Sequence, residues 1–441
     1  MHTTETHRPL LTGATGLLLA VLATGCGPDT NGTANITPAI GSDLGTPLAP
    51  APGETDTLIL AQTYFLDEVD PESGETKPVP GPAKLTLIRG TGQQWEVTTL
   101  EDPESNVFHK ALPLVGAQGI LTIAANGARL KSWTRGASGW EAVTHWAPTF
   151  GGEQERLRDV ERGDVTGDGR DDLVIATHDL GVVAVVEIRE SGDWKVTEVD
   201  RTENRIFVHE VEIGDVDGDG VAEFFATPSA PNVLDGTPQP GRIVGYRFNG
   251  GKVERFEIAS FLGAHVKEIL VADLDGRGRA DLYASIEPER KKVGDKVQAV
   301  DPLIIRRYRW EDDGQISETD MANFRDDQCR FLVPGDLTGD GKLELVASTM
   351  TAGIYMLRQG EAGWTSELVA KDSRFAEFEH AAAILDLDGD GKNELYVMSD
   401  GIPDQEGKLR RFLWNGAGFD TQEIATLPTD HMTFNITAAE L

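Results

Sequence analysis

The sequence predicts an all-β chain: a seven-bladed propeller with an acidic metal loop between the first and second strands of a blade, its ring closed by a C-terminal strand added to the first blade. Three observations predict it. One acidic loop, Asp-x-(Asp/Thr)-Gly-x-Gly-x-x-(Asp/Glu), recurs five times, starting at Asp164, Asp215, Asp273, Asp336 and Asp386. Seven hairpins of apolar strand formers recur in step with it, and the first unit lacks an opening strand that the last residues of the chain can supply.

The loops start about 50 to 60 residues apart, the repeat length of a propeller or solenoid. The hairpins count the blades better, because they persist where the loop has decayed. Their first strands are Leu85 to Arg89, Leu130 to Thr134, Val182 to Ile188, Ile243 to Phe248, Ile304 to Trp310, Ile354 to Arg358 and Leu409 to Trp414. Partner strands open near Trp95, Trp140, Trp194, Val253, Ile316, Trp364 and Phe419, with the period-two alternation of half-buried strands. A short strand precedes each acidic loop, as in Val208 to Ile213, and is read as the innermost of its blade. The unit that begins near Leu58 has none, whereas His431 to Ile436 is a strand with no loop after it. Placing that strand in blade one closes the ring and leaves few free edges. Domain boundaries follow: residues 1–25 are a signal segment, 26–56 a tether and 57–441 one propeller.

Calcium takes six to eight oxygens, and a tight loop delivers them when alternate side chains turn inward. In the loop at Asp215 the donors are Asp215, Asp217, Asp219, Glu223 and the Val221 carbonyl; Gly218 and Gly220 supply the sharp turn. The loop at Asp386 repeats the set with Asp388, Asp390, the Lys392 carbonyl and Glu394. The loops at Asp164 (Thr166, Asp168, the Arg170 carbonyl, Asp172) and Asp336 (Thr338, Asp340, the Lys342 carbonyl, Glu344) exchange a carboxylate for a hydroxyl and are expected to bind more weakly. In the third copy, Arg277 stands where a ligand belongs among Asp273, Asp275 and Asp281, so calcium and a guanidinium are alternative occupants there. Four calcium sites and a doubtful fifth are therefore expected.

This loop-and-strand pattern resembles the FG-GAP and VCBS repeats of integrin α-subunit propellers and of many secreted bacterial proteins, over about Asp56 to Leu441. The resemblance implies loops on the lower face and ligand binding on the upper face. Blade two departs from it, because Leu114 to Gly119 is short and carries no carboxylate.

With 40 basic and 73 acidic residues the formal charge is −33, which excludes nucleic acid and anionic membrane as main partners. Leu10 to Thr24 is apolar, follows Arg8 and is too short to span a bilayer, so it reads as a secretion signal. Its end, Leu22-Ala-Thr-Gly-Cys26, resembles a bacterial lipobox; the resemblance implies lipidation of Cys26 and, with Gly27 rather than Asp after it, an outer-membrane or cell-surface address, the alternative being an ordinary signal peptide with an incidental cysteine. The following Pro-, Thr- and Ala-rich stretch reads as a flexible tether. Cys329 has no second cysteine to pair with in the mature chain and is expected to be buried.

Six residues before each loop Asp, and at positions aligned by eye in the degenerate units, stand His109, Arg158, His209, Lys267, Arg330, His380 and His431. In so acidic a chain, seven basic types at one phase predict a positive collar at the upper channel mouth. It can be structural, each side chain bonding its neighbours; it can be an anion site for a carboxylate, phosphate or uronate; or it can hold a metal through histidines. Polar insertions at Asp67 to Pro82, Pro228 to Pro240 and Glu287 to Pro302 are placed beside it. The expected role is a monomeric, non-enzymatic recognition or scaffold module with a glycan or protein ligand on its upper face. The alternative is a polysaccharide-degrading, lyase-like enzyme using the collar with Tyr246 or Tyr308.

Overall fold

The structure, a computed structural model, describes residues 57–441 apart from 71–73, 75, 91–94, 115–117, 153–154, 179, 190–192, 203–204, 234, 362, 372–378, 401–405 and 440. The signal segment, the tether and Cys26 lie outside the described residues, as does the middle of the blade-two loop.

Seven antiparallel sheets account for all but one two-stranded hairpin, and the described residues contain no helix. The innermost strands of blades two to seven are Val107–Pro113, Leu157–Gly163, Phe207–Gly214, Val266–Ala272, Cys329–Gly335 and Glu379–Leu385. Blade one is built from Thr57–Val69, Ala83–Gly90 and Trp95–Asp102, and its innermost strand is the C-terminal His431–Ala439, paired antiparallel to Thr57–Val69 from Thr57 opposite Ala439 to Tyr64 opposite His431. Each innermost strand touches the next, and His431–Ala439 touches both Glu379–Leu385 and Val107–Pro113, so the ring is complete.

The second strand of every blade from three to seven, for example Asp172–Thr177 or Glu394–Ser399, is essentially buried from end to end. It reads as an unbroken apolar run because both of its faces are covered. Leu173 and Ile175 pack with Leu121 and Ile123 of blade two, while Val174 and Ala176 pack with Val208 and Val211 of blade four. The buried apolar side chains accordingly fall into seven clusters, one for each pair of adjacent blades. Stability is thus distributed over neighbour contacts around the ring. Cys329 belongs to the cluster between blades five and six and is a buried free thiol.

Candidate functional site

The five acidic loops all join a first strand to a second, on the lower face. Their second residue (Val165, Val216, Leu274, Leu337 or Leu387) is buried and pins the loop to the blade. Both glycines of every loop have φ between +67° and +89°, the left-handed region that an L side chain resists. The turn aims the first carboxylate inward: Asp215 accepts from the N–H groups of Gly218 (2.6 Å) and Gly220 (2.9 Å), and Asp336 from Gly339 (2.8 Å) and Gly341 (2.9 Å). The ninth residue is buried and turns back, so that Glu223, Glu344 and Glu394 accept from Val216, Leu337 and Leu387 N–H.

Carboxylate oxygens within 4.8 Å of one another come from Asp386, Asp388, Asp390 and Glu394; from Asp215, Asp217 and Glu223; and from Asp336, Asp340 and Glu344. Burial pushes Glu223 and Glu394 up to about 7, and neighbouring carboxylates (Asp217, Asp388) add to it. Glu344 and Asp172 are raised by burial as well. Hard oxygen donors held this close fit a hard divalent cation. The two loops expected to be richest are not equal. Asp219 is outside its set and accepts from Val221 N–H (2.8 Å), and Arg247 lies 3.4 Å from Asp217. In the loop at Asp164, Asp168 pairs with Arg170, and Asp172 accepts from Thr166 Oγ1 at 3.0 Å.

The third loop keeps the glycine geometry and changes the chemistry. Arg277 and, from the third strand of the blade, Arg309 both bond Asp281, and both lie against Asp275. Burial alone would raise Asp275, but Arg309 and Arg277 hold it below its ordinary value. Two guanidinium groups occupy the place of an ion, and the doubtful fifth site does not fit a cation. Arg277 was legible in the repeat; Arg309, 28 residues beyond Asp281, was not.

At the other end of the innermost strands the collar has a single structural origin. In each of blades two to seven the ladder slips by one residue; the extra residue is His109, Arg158, Lys267, Arg330 or His380, and in blade four the slip takes in His209 with Glu210. A β-bulge leaves one residue unpaired and re-aims its side chain. In blade one the slip falls between Thr433 and Asn435, so Phe434 takes the seventh position and His431 does not. The expectation for His431 is corrected. The strand closing the ring carries its bulge three residues later, and His431 instead stacks on Tyr64 (centroids 5.4 Å apart), with its Nε2 3.0 Å from Lys84 Nζ and its Nδ1 2.9 Å from Asp430. Of His380 only the backbone is described.

The collar members feel one another across the channel mouth. His109 Nδ1 is 3.4 Å from Arg158, and Phe434 meets both, edge-on to His109 at 5.0 Å and beneath the Arg158 guanidinium at 5.9 Å. Burial, followed by the charge of Arg158, drives His109 well below the ordinary imidazole value; for His209 the causes are burial and then His178 and Lys267. Arg158 falls to about 10 through burial and the proximity of Arg330. His109 Nε2 and both ring nitrogens of His209 are buried with no hydrogen-bond partner among the described residues. Lys267 is the exception, 3.0 Å from Glu287.

One layer down, the channel wall turns acidic. Lys110 Nζ pairs with Asp159 (2.9 Å) and Glu161. Burial would lower Lys110, yet these carboxylates hold it well above its usual value, while burial raises Glu210 and Glu212 far above theirs. Several of these acceptors tie blade to blade: Asn435 to Ala111 N–H, Asp159 to Val211 N–H, Glu212 to Val271 N–H and Glu268 to Leu332 N–H. Tyr246 and Tyr308 stand apart from this mouth, the first donating to Asp200 (2.6 Å) and the second enclosed in the interface of blades four and five. Among the described residues, no histidine belongs to a side-chain set that could hold a metal.

With the loop and strand geometry in hand, the repeat can be identified. Residues 164–226 match the FG-GAP-like repeat. The matched stretch covers two FG-GAP-like loops and the innermost strand between them. Rhamnogalacturonan endolyase YesW of Bacillus subtilis (strain 168) is 26% identical over 243 residues, 45% of this chain and 38% of that protein, so the chain spans well under half the length of this curated relative. A putative 6-phosphogluconolactonase from Bacteroides uniformis has a TM-score of 0.53 at 12% identity, covering 87% of this chain and 100% of that one. The periplasmic gluconolactonase of Pseudomonas aeruginosa has a TM-score of 0.50 at 13% identity, covering 86% and 99%. At such identities these two show a shared fold and nothing more.

Proposed function

We propose that this chain is a calcium-bearing recognition propeller that binds an acidic glycan at the upper mouth of its channel, carried as a monomer on a lipid anchor at Cys26 at the outer membrane or cell surface. One observation carries the reading: five basic side chains crowd the mouth in buried or half-buried positions, and the imidazole nitrogens of His109 and His209 have no partner among the described residues. Unsatisfied buried polar groups cost about 1–3 kcal/mol each, and an entering carboxylate would recover that cost while neutralising Arg158 and Arg330. The acidic layer beneath would stop the anion at the mouth. Calcium at the loops of Asp215, Asp336 and Asp386 would hold the lower face and supply charge compensation there.

A second reading is a polysaccharide lyase. The similarity to YesW favours it, and Tyr64 with His431 is a tyrosine–histidine pair at the upper end of blade one, beside Lys84, whose ammonium burial lowers. A glycan array probed with the full chain in calcium buffer tests both. Binding of acidic glycans that disappears when Arg158, His209 and Arg330 become alanine is the expected result. Release of unsaturated sugar from a bound glycan, abolished in Tyr64→Phe, would make the second reading the correct one; no binding by the parent would leave the collar structural.

A further inference from the structure

The insertion of blade five departs from the charge of the rest of the chain. Residues 290–299 hold Arg290, Lys291, Lys292 and Lys296 against the single carboxylate of Asp295, in a chain whose formal charge is −33. They fold into a hairpin of their own, Arg290–Val293 against Lys296–Ala299, standing between the second and third strands of the blade and therefore on the upper face.

The base of the hairpin is tied to the collar on both sides. Glu287, where the insertion leaves the blade, accepts from collar Lys267 at 3.0 Å. Arg290 pairs with Asp327, three residues before collar Arg330. Toward blade four, Gly236 packs so closely that a Cβ would lie 2.9 Å from the Lys292 backbone nitrogen. The hairpin is thus held at its base beside collar Lys267 and between Gly236 and Asp327, and burial with the charges of Arg330 and Arg290 lowers Lys267 despite Glu287.

The outer part of the hairpin is built for contact. Lys291, Lys292 and Lys296 are exposed, and neither Lys292 nor Lys296 has an ionic or hydrogen-bonded partner among the described residues. Val293 and Val300 are about half exposed, at 52% and 45%, and offer apolar surface between the ammonium groups. Lys291 reaches back to Glu289 at 2.7 Å, whereas Lys292 and Lys296, beside exposed valines on an acidic molecule, neither balance a partner nor cover core.

We propose that this hairpin is an extended subsite, so that the ligand of the collar is a linear polysaccharide with repeated anionic groups, one seated at Arg158 and Arg330 and later ones on Lys291, Lys292 and Lys296. The inference rests on the reading of the collar as an anion site. Repeated weak charge contacts along one chain add avidity that a single sugar cannot gain.

The test is calorimetric titration of the full chain with a single uronic acid, a hexauronate and neutral dextran, beside a Lys291→Ala/Lys292→Ala/Lys296→Ala variant, whose substitutions are on the surface and leave the melting temperature in place. The parent is expected to bind the hexauronate at least tenfold more tightly than the monomer. The variant is expected to lose about tenfold on the hexauronate, show a flatter salt dependence and keep the monomer affinity unchanged. Equal affinity of parent and variant for the hexauronate, or equal parent affinity for monomer and hexauronate, overturns the subsite and leaves the collar reading standing. Absence of binding to either uronate, or equal binding of dextran, overturns both.

Discussion

Glu268 shows how much one residue of the channel wall has to balance. It is 7% exposed, its Oε1 accepts from Leu332 N–H of the next blade at 2.8 Å, and burial pushes its carboxyl up to about 8 against the opposing pull of that N–H and of Arg330. The folded-state value lies above the ordinary 4.5, so between about 4.5 and 8 the folded chain holds a proton that the unfolded chain releases. Its contribution to stability is therefore complete below that window and is lost as pH rises through it. Glu268→Gln keeps the acceptor and removes the titration. The melting temperature of the variant relative to the parent is expected to climb between pH 5 and pH 9; a difference that stays flat, measured by calorimetry across that range, would show that the site is hydrated in solution. The third loop shows the opposite arrangement: Asp281 is fully buried and bracketed by Arg277 and Arg309, whereas the corresponding Glu394 converges with three other carboxylates and accepts from the Tyr396 hydroxyl at 3.0 Å.

At the scale of the element, the decisive strand is His431–Ala439. It pairs with Thr57–Val69 along eight register positions and lends Ile436 and Ala439 to the two clusters that flank blade one. Removing residues 431–441 would expose the edge of Thr57–Val69 and uncover apolar side chains of both interfaces, including Leu58 and Ile59. A truncated chain is expected to lose its cooperative thermal transition and to aggregate on size-exclusion chromatography. A monodisperse, cooperatively melting product would refute closure by this strand. The bulges are the second element-level device. One slip per innermost strand turns the collar residue out of the ladder and still lets the next residues reach the neighbouring blade, as Asp159 does to Val211 N–H.

Over the whole molecule, the lower face concentrates carboxylates in loops and the upper face concentrates cations around the mouth and along the blade-five hairpin, which gives the ring a polarity that its net charge conceals. Ions that bind only the folded state stabilise it by mass action, about 2.7 kcal/mol for a site filled at a hundred times its dissociation constant. Chelation is accordingly expected to lower the melting temperature by several degrees, and readdition of calcium to restore it. The loop at Asp386, with four converging carboxylates, is expected to carry more of the effect than the loop at Asp164: Asp388→Asn should cost more in calcium buffer than Asp168→Asn, which removes a group already paired to Arg170. A melt that chelator leaves unmoved would contradict the metal assignment.

The repeat was legible because each of its parts is local. Glycine pairs that need positive φ, alternating apolar strands and a carboxylate at the ninth loop position all act within a dozen residues, so the seven hairpins, the five loops and the strand left over at the C-terminus could be read in order and match the ring. Five collar positions were legible for the same reason, since a fixed count of six back from the loop Asp reaches the bulge in blades three to seven, and alignment by eye placed His109 correctly in blade two. Blade one has no such loop from which to count, and there the alignment landed on His431, whereas the pairing of Thr433 with Gln62 and Asn435 with Ala61 puts Phe434 at the mouth. Arg309, the acceptors that tie blade to blade and the wedging of the blade-five hairpin between Gly236 and Asp327 join residues tens to hundreds of positions apart. Sequence by itself determined the period, the blade number and the loop chemistry, because local geometry and hydrophobic alternation impose them. Only the closed tertiary structure decided which side chains meet across the axis and which guanidinium displaces an ion, because those contacts arise where strands from different blades converge.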